Sequence, residues 1–227
     1  MLPRRLLQQL RPLICPLEPL LEQMPGRARV LDIGCGTGAL LLRAVKEGKV
    51  KEGLGVDVNE PALETARETW RAMQKAYPLA NLAFIPSREL SKSAGSWEVV
   101  TMVDVIHHVP VAHQELFLRE AFRRVAAGGR MIYKDVCLRP LWKRALNRLH
   151  DLVMARQWIS EVPLEKARLW AAQEGLKVVK EQHYGRLWYG HELLVLVRDA
   201  PPSVPDLTHE ESDGSASAPG FNQGTDL

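Results

Sequence analysis

From residue 28 onward the chain alternates short apolar runs with longer amphipathic stretches. Runs at 28–33, 53–58, 81–85, 98–103 and 129–135 are rich in Val, Ile, Leu and Phe and predict strands. Between them, 38–47, 60–76 and 113–126 carry apolar residues at helical spacing and predict helices. Asn59 is placed to cap the second helix, with Pro61 in its first turn. Gly128-Gly129 predicts a tight turn into the fifth strand. One more helix is expected at 163–174, then strands at 176–182 and 187–197 joined through Tyr184-Gly185-Arg186. Alternation of this kind builds an α/β, doubly wound, mostly parallel sheet with helices on both faces.

The flanks read differently. Leu6, Leu7, Leu10, Leu13, Leu17, Leu20 and Leu21 fall at near-helical spacing broken by Pro12, Pro16 and Pro19. Residues 1–26 are therefore expected to form two short helices that pack on the domain and close over its ligand edge. Residues 27–199 make the domain itself. Within it, Leu138, Leu141, Ala145, Leu149, Leu152 and Val153 form one stripe, with Arg139, Lys143, Arg144, Arg148 and Arg156 mostly off it. The segment 138–160 reads either as an ordinary amphipathic helix or as a lid, with 139–156 touching an anionic acceptor or a membrane surface. From 200 to 227 the chain turns to Pro, Ser, Gly and acids and is expected to be disordered.

With 227 residues and 46% hydrophobic content, the chain has enough material for one cored domain. A net charge of +3 does not point to nucleic acid. Cys15, Cys35 and Cys137 form no Cys-x-x-Cys pair and read as buried or loop thiols in a reducing compartment. Arg11, Glu18 and the prolines interrupt any signal-like apolar core, so a cytoplasmic protein is expected.

Candidate chemistry begins at Val30-Leu31-Asp32-Ile33-Gly34-Cys35-Gly36-Thr37-Gly38. A glycine loop between strand and helix lets backbone approach a cofactor closely. Gly34, Gly36 and Ala39 also satisfy the relaxed dinucleotide fingerprint. Asp32 separates the readings, because a carboxylate there repels a pyrophosphate and favours a cationic cofactor such as S-adenosylmethionine. Its alternative role is to cap the loop. Asp57 ends the second apolar run, near the roughly 20-residue spacing at which an acid receives ribose hydroxyls.

Residues 28–136 resemble a class I S-adenosylmethionine-dependent methyltransferase of the small-molecule type. Val30 to Gly38 match the first motif, Gly55 to Asn59 the end of the second strand, Asp104 to Pro110 the segment after the fourth, and Gly128 to Asp135 the fifth. The resemblance implies a single Rossmann-like domain with a seven-stranded mixed sheet whose last strand is antiparallel. It implies a cofactor cradle of Asp32, Gly34, Cys35, Gly36, Gly38, Asp57, Val58, Ser87 and Asp104. Backbone at Val103 to Val105 would contact the cofactor, with Asp104 facing its methionyl end or shaping the loop. Many members carry an acid for adenine after the third strand. Here Ser87, backbone or Glu89 has to serve.

Methyl transfer needs alignment and, for some acceptors, a base. His107 and His108 are the candidates, with His150 and Asp151 as a rival pair, while Lys134 and Asp135 are placed to bind each other. Asp104 and Asp135 alone make a poor Mg²⁺ site, so no metal is expected. A small-molecule acceptor is expected and nucleic acid is not. Val103-Asp104-Val105-Ile106 stands where amino-directed nucleic-acid methyltransferases carry a Pro-Pro-aromatic tetrapeptide. An NAD(P)-binding oxidoreductase on the same topology and a non-catalytic S-adenosylmethionine-binding partner protein remain as alternatives.

Overall fold

Apolar runs long enough to be buried on both faces make the parallel centre of the sheet. In the computed structural model, which describes residues 16–90, 95–136, 160, 162–186 and 189–200, these are β1 (Ala28–Ile33), β2 (Val50–Asp57), β3 (Asn81–Pro86), β4 (Trp97–Val103) and β5 (Val125–Val136). β6 (Leu176–Arg186) and β7 (Tyr189–Arg198) complete a seven-stranded sheet of order β3-β2-β1-β4-β5-β7-β6. Pairing is parallel from β3 to β5 and antiparallel at β5–β7 and β7–β6. The α/β expectation therefore holds, including the antiparallel last strand.

Helices α1 (Glu18–Leu21), α2 (Ala39–Lys46), α3 (Glu60–Met73), α4 (Val111–Arg123) and α5 (Leu164–Gln173) cover both faces. Period-two alternation sends Val30 to one face and Leu31 to the other. Val30 packs with Leu41, Leu63 and Trp70, whereas Leu31 packs with Leu118, Phe122 and Ala167. Asn59 caps α3 as its sequence predicts, its Oδ1 accepting from Ala62 N at 3.2 Å.

Three expectations need correction. Gly128-Gly129 is not a turn before the fifth strand, because β5 already starts at Val125. The pairing moves from Trp97–Val125 to Val99–Arg130, and Gly128 at φ 74° absorbs the irregularity as a bulge. Tyr184-Gly185-Arg186 is strand rather than turn, since the ladder continues through Tyr184–His191 and Arg186–Tyr189. The described part of the N-terminal segment does not close over the ligand edge. Gln23 O and Met24 O are held by Arg130 and Lys49, beside the amino ends of β5 and β2, because Pro25 to Arg27 must deliver the chain there into β1. Residues 1–15, nearly all of the proposed lid (138–160), His150, Asp151 and the tail beyond Ala200 lie outside the described residues. Among the described residues no helix is long and apolar enough to cross a membrane.

Opposite the carboxyl ends of the strands, Arg198 ties several elements together. Its guanidinium donates to Val125 O at 2.9 Å, Glu174 O at 2.8 Å and Phe122 O at 3.0 Å. Phe122 and Glu174 lie at the ends of α4 and α5, where helix carbonyls lack internal partners. Replacing Arg198 with Ala is expected to lower the unfolding free energy by about 3 kcal/mol. Arg198→Lys should recover only part of the loss, because one ammonium cannot span the fork. Urea denaturation measures both.

Candidate cofactor and catalytic site

β1 stops where Gly34 takes φ 76°, and the loop runs to Gly38, at φ 75°, the residue before α2. A Cβ on Gly34 would stand 2.2 Å from Val105 Cγ2, and one on Gly38 would stand 2.8 Å from Phe84 Cε1. Glycine is needed at both positions, for the positive φ and for the contact. Gly34 N and Cys35 N donate to Val56 O at 2.8 and 3.0 Å, which ties the loop to the end of β2.

Asp57 is the last residue of β2 and closes this cradle. Its carboxylate accepts from Gly36 N at 2.7 Å and from Asn59 N at 2.8 Å. Each oxygen has a second lone pair, so acceptor capacity remains. Val58 projects beside it, 87% exposed. Ser87 begins a 3₁₀ turn directly after β3 and lines a groove with Ile33, Leu90 and Phe117. Cys35 is buried in the core, where burial first, and then Asp32 and Asp57, pushes its thiol pKa up. Its side chain is a neutral packing group, and its backbone belongs to the loop.

Asp32 is buried at the end of β1 and accepts from Thr101 Oγ1 on β4 at 2.6 Å. The loop amides of Gly34 and Cys35 go to Val56 O rather than to Asp32. A threonine within the apolar run 98–103 is the signal by which sequence could have found this partner.

At the ends of β4 and β5 the pairing differs from expectation. Lys134 and Asp135 do not bind each other, because neighbours on a strand point to opposite faces. Lys134 Nζ, fully buried, donates to Asp104 Oδ1 and Oδ2 at 2.8 and 2.7 Å. Asp104 takes φ 55°, and its amide donates to Lys134 O at 2.9 Å. Burial would raise the Asp104 pKa. Lys134, with His191 next, outweighs it and holds the carboxyl well below the usual carboxylate range.

On the other face, Nδ1 of buried His107 hydrogen-bonds Asp135 Oδ1. A carboxylate can only accept, so Nδ1 carries the proton and Nε2 is the basic nitrogen. His108 is exposed, its ring 4.1 Å from that of His107 between centroids. Tyr133 shares the face of Asp135. Burial first, and then Asp135, raises its pKa well above the ordinary tyrosine value, which keeps the phenol neutral. Gln114 fixes this loop by donating to Ile106 O, Val109 O and Ser160 O at 3.2, 3.2 and 2.6 Å. Gln114 gives no sequence signal, because its partners are all backbone carbonyls.

Residues 5–181 match the profile of a family described as methyltransferase domain. The ubiquinone biosynthesis O-methyltransferase of Vibrio campbellii is 35% identical over 106 residues, covering 46% of this chain and 43% of that enzyme. The indolepyruvate C-methyltransferase of Streptomyces griseus is 32% identical over 90 residues, 40% of this chain and 27% of that enzyme. The matches thus span less than half the length of these relatives. Magnesium protoporphyrin IX methyltransferase from Synechocystis PCC 6803, solved with bound SAH, superposes with a TM-score of 0.63 at 18% identity, covering 81% of this chain and 82% of that one. A [4+2]-cyclase superposes with a TM-score of 0.64 at 13% identity, over 82% of this chain and 80% of its own, so the fold also carries other chemistry. With a family profile matching across the glycine loop, Asp57 and the ends of β4 and β5, the chain belongs to the class I S-adenosylmethionine-dependent methyltransferase family.

Proposed function

We propose that this protein transfers a methyl group from S-adenosylmethionine to a small-molecule acceptor. The observation that carries the reading is the Asp57 carboxylate, held by Gly36 N and Asn59 N beside a glycine loop open to close backbone approach. Asp57 receives the ribose hydroxyls, and the loop backbone from Gly34 to Gly38 covers the rest of the adenosine. Asp32, beneath that loop, favours a cationic ligand over a pyrophosphate. Ser87 and neighbouring backbone take the adenine edge.

Bound S-adenosylmethionine supplies a methyl group activated by its sulfonium. The acceptor then needs alignment and, if it is a hydroxyl, loss of a proton. His107 Nε2 takes that proton, and Asp135 orients the ring and stabilises the resulting imidazolium. The small-molecule acceptor is supported by the relatives, whose names refer to ubiquinone biosynthesis and indolepyruvate.

Calorimetric titration is expected to give micromolar binding of S-adenosylmethionine and its demethylated product, and none of NAD. Asp57→Ala should weaken both by roughly tenfold or more, the loss of hydrogen bonds to a charged group. Asp32→Asn should weaken S-adenosylmethionine, whereas an oxidoreductase would tolerate it. NAD binding in place of S-adenosylmethionine would overturn the reading. With an acceptor hydroxyl found by screening, His107→Ala should lower kcat by about 10²-fold or more. It should also abolish the acidic limb of the pH profile while leaving the cofactor Kd unchanged. An unchanged kcat and profile would remove His107 from the chemistry.

A further inference from the structure

β4 ends at Val103 and α4 begins at Val111, and between them His107 sits on a single 3₁₀ turn, Ile106–His108. A turn of three residues makes few bonds of its own. Here His108 N donates to Val105 O and Val109 N to Ile106 O, both at 3.0 Å, and Pro110 at the head of α4 makes no side-chain cap. The direction in which the side chains leave this turn therefore has to be fixed from outside it. Gln114, in the first turn of α4, does so. Its side chain is buried, 5% exposed, where an apolar group would carry no polar cost. Nε2 brings two hydrogens to three backbone carbonyls. These are Ile106 O and Val109 O, on either side of the histidines, and Ser160 O, 46 residues further along the chain. Ser160 N in turn donates to His107 O at 3.1 Å. The carbonyls of Ile106, His107 and Val109 are thus held in one closed ring of hydrogen bonds through Gln114 and Ser160. His107 leaves that ring buried, with Nδ1 on Asp135, whereas His108 leaves it exposed.

We propose that Gln114 is the positioning residue of the His107 base, acting through the backbone of the turn that carries it. The proposal rests on the reading of His107 as proton acceptor and adds the reason why this imidazole, and not its neighbour, meets Asp135. A hydrogen bond tolerates little displacement, and a shift of the turn by about 1 Å is enough to lose the contact. Without Asp135 as partner, the ring proton can occupy either nitrogen, and Nε2 is no longer reserved as the basic one. Ser160 serves the same end through its backbone alone.

The test reads the ring nitrogens of His107 directly and needs no acceptor. The full chain is isotopically labelled at its histidine nitrogens, and the His107 signals are identified by their loss in His107→Ala. In the wild type, NMR should find the proton on Nδ1 and slow to exchange with solvent. Gln114→Met keeps the approximate volume of the side chain and removes its donors. It should populate the Nε2–H tautomer and speed exchange of the Nδ1 proton about tenfold or more, the factor of one lost hydrogen bond. Backbone amides of β4, measured in the same samples, report global opening and separate it from local release of the turn. Gln114→Asn keeps the amide one methylene short of its carbonyls and should fall between Gln114→Met and the wild type. A role confined to stability would lower the urea midpoint and leave the His107 tautomer and exchange unchanged relative to β4, which overturns the proposal while the base reading stands. If Gln114→Met does not fold, the same criterion is applied to Gln114→Asn. A wild-type His107 that carries its proton on Nε2 would overturn the base reading itself, and the positioning proposal with it.

Discussion

Carboxylates at the ends of buried parallel strands need partners, and here each is held by a neighbouring strand or its loop. Asp32 of β1 is bound by Thr101 of β4, and Asp57 of β2 by the loop that follows β1. Asp104 after β4 is bound by Lys134 of β5, and Asp135 of β5 by His107 in the loop after β4. These contacts run across the carboxyl edge of the sheet, where ligands bind in open α/β folds. They hold these loops in place by contacts within the protein, and preorganisation of this kind lowers the ordering cost of the cofactor binding proposed there.

The opposite edge does different work. There Arg198 gathers the ends of α4 and α5, and Arg130 and Lys49 fasten the segment that leads into β1. The antiparallel β6–β7 hairpin also extends the sheet beyond β5 and brings His191 and Glu192 of β7 to the same end as Lys134 and Asp135. A molecule arranged this way can keep its core fixed while the chemistry stays at one end.

Much of this was legible because it is local. The glycine loop, Asp57 and the Asn59 cap are written in contiguous residues, and each needs only its own neighbours to form. The misread features depend on strands distant in sequence. The bulge at Gly128 is set by the register against β4, and the run from Tyr184 to Arg186 stays extended because β7 pairs with it. The partners of Lys134 and Asp135 were hidden for the same reason, lying 30 and 28 residues away along the chain. Even so, strand alternation already forbids their pairing with each other. The glycine loop alone also satisfies a dinucleotide fingerprint, and only the acid beneath it separates the two cofactors.

The central claim is that adenosine lies on Asp57 and the glycine loop, with the sulfur end toward Val103 to Val105. A crystal structure of the full chain with S-adenosylhomocysteine tests this most directly. The account predicts both ribose hydroxyls within hydrogen-bond distance of the Asp57 carboxylate and the ligand backbone-stacked against Gly34 to Gly38. A nucleoside bound elsewhere, or a ribose that leaves Asp57 untouched, would contradict it.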